Sequence, residues 1–255
     1  MAKTGLAAVE AALRARKLDS TLTTARPVLE TTAAQSAVER LDRCLEGGVP
    51  RGQLSEIVGP RSSGRTTLLL QLLAAATRRD EIAAVVDTFD CLDVPSAESA
   101  GVELDRLMWI RGHSSPASLV DRSIERALKA LNLVLQAGGF GMVAIDFADA
   151  PLVALNRIPF TTWLRIQRTI EGSDTACILV GPRPLARSAG GVTLSLTGCP
   201  QWHGVGDRNR RLAGLELAVR VISPRRTGGE VAISAISFEF VSLEYAASSL
   251  NTQNS

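Results

Sequence analysis

The sequence predicts an α/β fold in which a doubly wound, mostly parallel sheet is extended at one edge by antiparallel C-terminal strands. Over the first two thirds of the chain, short apolar runs alternate with segments of helical period, which is typical of strand–helix–strand units. A glycine- and serine-rich loop joins one of these runs to a helix. After residue 191 the pattern changes to β-type runs separated by turn residues, which favours antiparallel strands.

The N-terminal residues are predicted to lie outside this sheet. Residues 6–18 carry apolar side chains at helical spacing and basic side chains at the end, so we expect a short amphipathic helix. Residues 19–36 include Pro27 and show no period, which indicates a linker. We therefore predict a helix and linker (1–36), a core domain (37–247) and a disordered polar tail (248–255). The helix docks either on another protein or on its own domain.

The core elements are predicted in order from their periodicity. Helices are expected at 37–45, 68–76, 116–136 and 161–170, and a glycine- and proline-rich turn at 47–52. Apolar runs predict strands at 54–58, 82–87, 107–110, 142–146 and 177–180, and continuous runs such as 82–87 are typical of parallel strands buried on both faces. The antiparallel strands are expected at 192–197, 215–223 and 230–240.

The loop that follows the first buried strand has the pattern of a phosphate-binding loop. We call it the phosphate loop; it consists of Gly59, Pro60, Arg61, Ser62, Ser63, Gly64, Arg65, Thr66 and Thr67. Its glycines allow backbone N–H groups to curl around an anion, and the following helix adds its dipole. Arg65 stands where this pattern has lysine, and a planar guanidinium is a poor substitute for a compact ammonium beneath two phosphates. The alternative is a strand-to-helix turn without a ligand.

Asp146, at the end of the strand predicted at 142–146, is the candidate magnesium-binding acid. Together with the hydroxyl of Thr66 it would hold Mg²⁺, directly or through water, beside a nucleotide on the phosphate loop. The alternative is an acid that only ends a strand. ATP and Mg²⁺ are therefore the expected ligands, bound weakly.

Bulk composition excludes several classes of protein. No apolar run approaches the roughly 20 residues that cross a bilayer, and the N-terminus lacks the apolar region of a signal peptide, so we expect a cytoplasmic protein without a membrane contact. The four cysteines are far apart and form no C-x-x-C pair, which predicts free, buried thiols and no metal bound by them.

An arginine-rich region follows the last predicted parallel strand. Between residues 183 and 226 arginines far outnumber acids, and the residues that we predict to face DNA or a partner are Arg183, Arg187, Arg208, Arg210 and Arg211. Lysine occurs only at positions 3, 17 and 129, so the chain as a whole prefers arginine. A solvated surface of an arginine-rich protein is therefore the alternative.

The order of these parts resembles the RecA/RadA recombinase core. Residues 41–67 follow the RecA pattern, in which a Leu-Asp pair and a Gly-Gly-Val-Pro-x-Gly turn lead into Glu-Ile-x-Gly-Pro-x-Ser-Ser-Gly, and weaker similarity extends over residues 37–181. The resemblance also identifies departures. Phe89 stands where RecA has the glutamate that activates water, Phe147 follows the magnesium acid in place of serine, and Gly181–Pro182 replace the glutamine that senses the γ-phosphate.

Shortened RecA-like chains with these losses resemble the ImuA family, also described as RecA- or SulA-like accessory proteins. Residues 185–194, Gln201-Trp202 and residues 211–215 are in keeping with it. The resemblance implies a degenerate accessory protein of the SOS-type damage response and translesion synthesis, with an ImuB-like Y-family polymerase homologue, RecA and single-stranded DNA as partners. It implies very weak ATP hydrolysis or none, because loss of a general base alone costs ~10²- to 10⁴-fold in rate. The alternatives are an active DNA-stimulated ATPase of the RecA type and a scaffold that binds no nucleotide.

Overall fold

An eight-stranded sheet organises the chain. The computed structural model describes residues 32–113, 119–186, 191–206, 208–222 and 231–239. Ala33 onward belongs to one unit of the chain. The predicted N-terminal helix, the predicted tail and Arg187 lie outside the described residues, and the proposed domain division stays a prediction.

The described elements follow the predicted order. The strands are β1 (Ala33–Ala34), β2 (Val49–Pro50), β3 (Leu54–Val58), β4 (Ala83–Asp87), β5 (Leu107–Arg111), β6 (Met142–Asp146), β7 (Ala176–Gly181), β8 (Thr193–His203), β9 (Arg211–Ile222) and β10 (Val231–Glu239). The helices are α1 (Glu39–Cys44), α2 (Arg65–Thr77), α3 (Val94–Ser99), α4 (Val120–Ala137), α5 (Leu152–Leu155) and α6 (Phe160–Ile170), with a 3₁₀ turn at Leu104–Arg106.

The sheet is parallel in its centre and antiparallel at one edge. Its strand order is β10-β9-β8-β3-β7-β6-β4-β5. Strands β8, β3, β7, β6, β4 and β5 pair in parallel, whereas β9 pairs antiparallel with both β8 and β10. The predicted fold class is therefore confirmed. Because parallel strands share their carboxyl ends, the loops after β3, β4, β6 and β7 emerge along one edge, where ligands of such sheets bind.

Two hydrophobic layers cover the sheet. Helix α2 packs on one face with Ile57 and Ile178, and helices α4 and α6 pack on the other face with Leu54 and Leu179. Successive residues of a strand point to opposite faces, so an uninterrupted apolar run is what a strand covered on both sides requires. This explains why β4, β6 and β7 could be predicted from the sequence, whereas β3 carries the buried polar residues Ser55 and Glu56. Within the described residues no helix is both long and apolar enough to cross a membrane.

Several elements differ from the sequence prediction. Strands β8 and β9 are longer than expected, because their polar ends pair with each other as far as His203 and Arg211. The predicted turn at 47–52 contains β2, which pairs antiparallel with β1. Helix α3 was not predicted, although Asp93 caps it by accepting a hydrogen bond from the Ser96 N–H at 3.0 Å.

The prediction that the cysteines are buried is wrong for most of them. All four are free, but Cys177 alone is buried, whereas Cys91 and Cys199 are exposed and Cys44 is half-buried. Cys177 is the second residue of β7, and burial raises its pKa to about 12. Cys91 lies in a loop and Cys199 in the outer part of β8, and the sequence around them has no apolar period from which their exposure could be predicted.

Candidate phosphate-binding site

The phosphate loop connects β3 to α2 at the carboxyl edge of the sheet. Its backbone curls because Ser62 has a φ of 59° and Gly64 a φ of 87°, both in the left-handed region. Gly64 caps α2, and no side chain accepts a hydrogen bond from the first turn of this helix. The first N–H groups of a helix have no intrahelical acceptor, so the start of α2 is suited to an anion.

Strands β8 and β9 support the phosphate loop from behind. A Cβ added at Gly64 would clash with the side chain of Leu217, and one added at Gly59 would lie 2.6 Å from the carbonyl oxygen of Leu196. From the other side, a Cβ at Gly198 would lie 2.7 Å from the carbonyl oxygen of Ser62. The loop glycines are therefore needed for packing as well as for backbone conformation.

Arg65 reaches from the first turn of α2 to the segment after β6. Its Nη1 donates a hydrogen bond of 3.3 Å to the carbonyl oxygen of Ala148, and only 7% of the residue is exposed. Burial lowers the pKa of Arg65, while the Asp146 and Asp149 carboxylates act in the opposite direction. The guanidinium thus links the phosphate loop to the backbone two residues beyond the predicted magnesium acid.

Asp146 is half-buried at the end of β6. Its Oδ1 accepts a hydrogen bond of 2.7 Å from the Ala148 N–H. Burial raises the pKa of Asp146 to about 6, with the Ala148 N–H lowering it and the Asp87 carboxylate raising it further. At neutral pH the carboxylate is therefore mostly ionised and suited to a cation.

The donors at this edge fit ATP and Mg²⁺. The Thr66 side chain is exposed at the start of α2, and the Ser63 hydroxyl is buried in the loop with no hydrogen-bond partner. No group of three or more metal-ligating side chains occurs in the described part of the chain. Mg²⁺ keeps several waters and takes its other ligands from one or two carboxylates and from phosphate oxygens, so Asp146 and a bound nucleotide would be enough to hold it.

Phe89 lies beside the predicted magnesium acid. It lines a small cavity together with Asp87, Cys91, Asp146 and Asp149. The Asp87 carboxylate is committed elsewhere, because it accepts hydrogen bonds from the Cys91 and Leu92 N–H groups at 2.9 and 2.8 Å and from Trp109 Nε1 at 3.1 Å.

Two further acids near this cavity are paired with arginines. Asp90 has a left-handed φ of 61° and pairs with Arg111 at 2.8 Å, so its carboxylate does not replace the missing glutamate. Asp149 pairs with Arg61 of the phosphate loop at 3.1 Å. Both side chains of the Arg61–Asp149 pair are well exposed, so this pair adds little stability.

The predicted arginine face divides into separate parts. Arg183 is exposed just after β7, whereas Arg208, Arg210 and Arg211 come together where β8 turns into β9. Sequence reasoning did not assign a role to Trp202, whose ring centroid lies 5.4 Å from the Arg210 guanidinium carbon. The sequence did contain a signal for this contact, because Trp202 lies within nine residues of three arginines.

The fold and the loop define a parallel α/β protein with a phosphate-binding loop at the carboxyl edge of its sheet. Residues 20–158 match the RecA N-terminal domain, and the chain belongs to this family. It is 35% identical over 126 residues to Protein RecA of Rickettsia canadensis, which covers 49% of this chain and 34% of that protein. It is 41% identical over 104 residues to Protein RecA of Methylococcus capsulatus, which covers 41% of this chain and 27% of that protein. The matched region thus spans about a third of the length of these curated relatives.

Proposed function

We propose that this chain is a degenerate RecA-like accessory protein of DNA repair that acts in the SOS-type damage response and translesion synthesis. It works through protein contacts, contacts DNA, and binds ATP and Mg²⁺ weakly without efficient hydrolysis. Membership of the RecA family supports the link to DNA repair or recombination. The resemblance to the ImuA family supports the narrower role.

The proposed loss of catalysis rests on one observation, which is that Phe89 lines the cavity beside Asp146. A general base must lie within hydrogen-bonding reach of the water that it activates. Phe89 cannot accept a proton, Asp87 already accepts three hydrogen bonds, and Asp149 is paired with Arg61. The chain therefore keeps the groups that bind phosphate and lacks the group that would activate water.

Nucleotide binding rests on groups of the chain itself. The N–H groups at the start of α2 would cradle the phosphates, and Arg65 would neutralise part of their charge. Thr66 and Asp146 would hold Mg²⁺, which supplies charge neutralisation between phosphate oxygens when bound. We expect weak binding because Arg65 stands where the loop pattern has lysine, and its guanidinium already donates a hydrogen bond to the Ala148 carbonyl oxygen.

The test measures binding and hydrolysis separately. Mg-ATP at a hundred times its dissociation constant should raise the unfolding free energy by ~2.7 kcal/mol, and Arg65→Ala should reduce this effect. Arg165→Ala, an exposed substitution on α6, is the matched control for loss of an arginine. Phosphate release with and without single-stranded DNA should stay near background. DNA-stimulated hydrolysis that Asp146→Ala abolishes would instead support an active ATPase of the RecA type.

One structural feature favours that second candidate. The Arg61–Asp149 pair is solvent-exposed, so Asp149 is the carboxylate of this cavity that a ligand would most easily release. The hydrolysis assay therefore includes Asp149→Asn, which tests whether Asp149 acts as the base in this second candidate. If no Mg-ATP effect on stability is found, the third candidate, a scaffold without a nucleotide, is supported.

The proposed partners are an ImuB-like Y-family polymerase homologue, RecA and single-stranded DNA. Co-expression of this chain with the polymerase homologue, followed by purification through a tag on one of them, should recover a complex. Failure to recover it, with both proteins folded, would contradict the accessory role.

A further inference from the structure

We infer that the tip of the β8–β9 hairpin binds single-stranded DNA by stacking an unpaired base on Trp202. We call residues 200–212 the hairpin tip. The inference rests on the proposed contact with DNA and names the side chain that would distinguish unpaired bases from a bare phosphate backbone.

The hairpin tip projects beyond the central sheet. Strand β8 pairs with β3 only through Thr193–Ser195, yet it continues to His203. Gly198 packs against the phosphate loop, and four further residues at ~3.3 Å each place Trp202 roughly 13 Å beyond that contact. Because β8 runs parallel to β3, the tip extends from the carboxyl edge that carries the phosphate loop.

The hairpin tip exposes apolar surface that the sheet does not need. Trp202 is 50% exposed, its cross-strand partner Leu212 is 53% exposed, and Val205 is 92% exposed. A single cross-strand pair such as Trp202–Leu212 stabilises a hairpin only modestly. A half-exposed indole beside two further exposed apolar side chains is instead a feature of binding surfaces.

The charges around Trp202 fit a polyanion. Arg210 lies over the Trp202 ring, Arg208 and Arg211 are exposed close to Arg210 in the chain, and the described part of the tip contains no carboxylate. The nearest acid on the paired strands, Glu216, accepts a hydrogen bond of 2.9 Å from Gln201 Nε2. The sequence of the tip contains one acid, Asp207, against three arginines.

An aromatic ring among arginines is suited to single strands. Every unpaired base offers a flat face that stacks on an indole, while guanidinium groups contact the flanking phosphates. Arg210 lies over the Trp202 ring, so it holds the indole in place, and the base stacks on the other face. A duplex keeps its bases stacked on one another and cannot occupy this platform without unpairing.

The experiment compares strands that differ only in their bases. The purified chain is titrated with an oligothymidylate, with an abasic strand of equal length and with a duplex. We expect the wild type to bind the oligothymidylate at least about 5-fold more tightly than the abasic strand. Trp202→Ala should remove this preference, and Trp202→Phe should keep much of it. Thermal unfolding of each variant checks that it is folded.

A second pair of variants separates charge from stacking. Arg208→Ala combined with Arg211→Ala should weaken binding to both single strands and reduce the logarithmic salt slope by about 1.4. Equal affinity of the wild type for the two strands, or unchanged selectivity in Trp202→Ala, would overturn the inference and leave the accessory role standing. If Trp202→Ala abolishes the complex with the polymerase homologue and not DNA binding, the tip is a protein interface and the inference is wrong. Rapid ATP hydrolysis would refute the proposed loss of catalysis without affecting this inference.

Discussion

Replacement of Gly64 by alanine should destabilise the protein by more than its backbone angle explains. The φ of 87° alone costs a non-glycine residue ~1–2 kcal/mol. The added methyl group also meets the side chain of Leu217, which is fully buried in the core, and overpacking of this kind costs ~1–3 kcal/mol. We therefore expect Gly64→Ala to lower the free energy of unfolding by ~2–5 kcal/mol.

Gly172→Ala is the matched control. Gly172 has a similar φ of 80°, but an added Cβ would meet no atom within 4 Å. This substitution should therefore cost only the backbone contribution of ~1–2 kcal/mol. The midpoint and slope of urea unfolding curves give the free energy of unfolding of each variant, and the difference between the two variants measures the cost of the contact with Leu217.

A double variant identifies the contact responsible. Leu217→Ala should cost ~2–5 kcal/mol through the cavity that it leaves. In Gly64→Ala combined with Leu217→Ala the new methyl group enters that cavity, so the total should fall short of the sum by ~1–3 kcal/mol. Equal costs for Gly64→Ala and Gly172→Ala, together with additive behaviour in the double variant, would refute the packing of the loop on β9.

Three further substitutions test the site and its surroundings. The stability of Asp146→Asn relative to the wild type should increase as pH rises from about 4 to 6, because the raised pKa of about 6 makes the native protein bind a proton that the unfolded chain has lost. The difference between the ordinary pKa of 3.8 and about 6 corresponds to ~3 kcal/mol, so the increase should level off near that value above pH 7; a pH-independent difference would contradict it. Phe89→Glu should not create a fast ATPase, because the lysine and the γ-phosphate sensor are also missing; a large rise in phosphate release would count against this view. In urea unfolding, Glu56→Ala should lower the free energy of unfolding by ~1–3 kcal/mol more than Glu56→Gln does. Alanine leaves the N–H groups of Leu185 and Ala186, which donate to Glu56 Oε1 at 2.7 and 2.9 Å, without an acceptor, whereas glutamine keeps an oxygen there. Equal costs would show that these hydrogen bonds contribute little.

The fold was predictable from local sequence wherever a strand is covered on both faces. The run Met142–Asp146 matches its strand because every position before the terminal acid had to be apolar. The ends of β8 and β9 were missed for the opposite reason. Gly198, Pro200 and Gln201 carry no strand period, and their conformation depends on pairing with β9.

The candidate site was predictable as a set of residues and not as a set of contacts. The sequence located the phosphate loop, Asp146 and Phe89, since each follows a recognisable strand. It did not show that Arg65 bonds the carbonyl oxygen of Ala148 or that Asp90 turns toward Arg111. These contacts join residues from different loops, and their geometry depends on the completed sheet.

The support of the phosphate loop by β8 and β9 has a consequence for when the site forms. The residues that match the RecA N-terminal domain end at 158, whereas Leu196, Gly198 and Leu217 follow much later in the chain. Contacts between distant residues require a long stretch of chain to close, which is slow during folding. During synthesis from the N-terminus, the complete motif therefore emerges well before the strands that hold it. We expect a nascent chain that ends after β7 to contain every motif residue of the loop and still to be unable to bind a nucleotide.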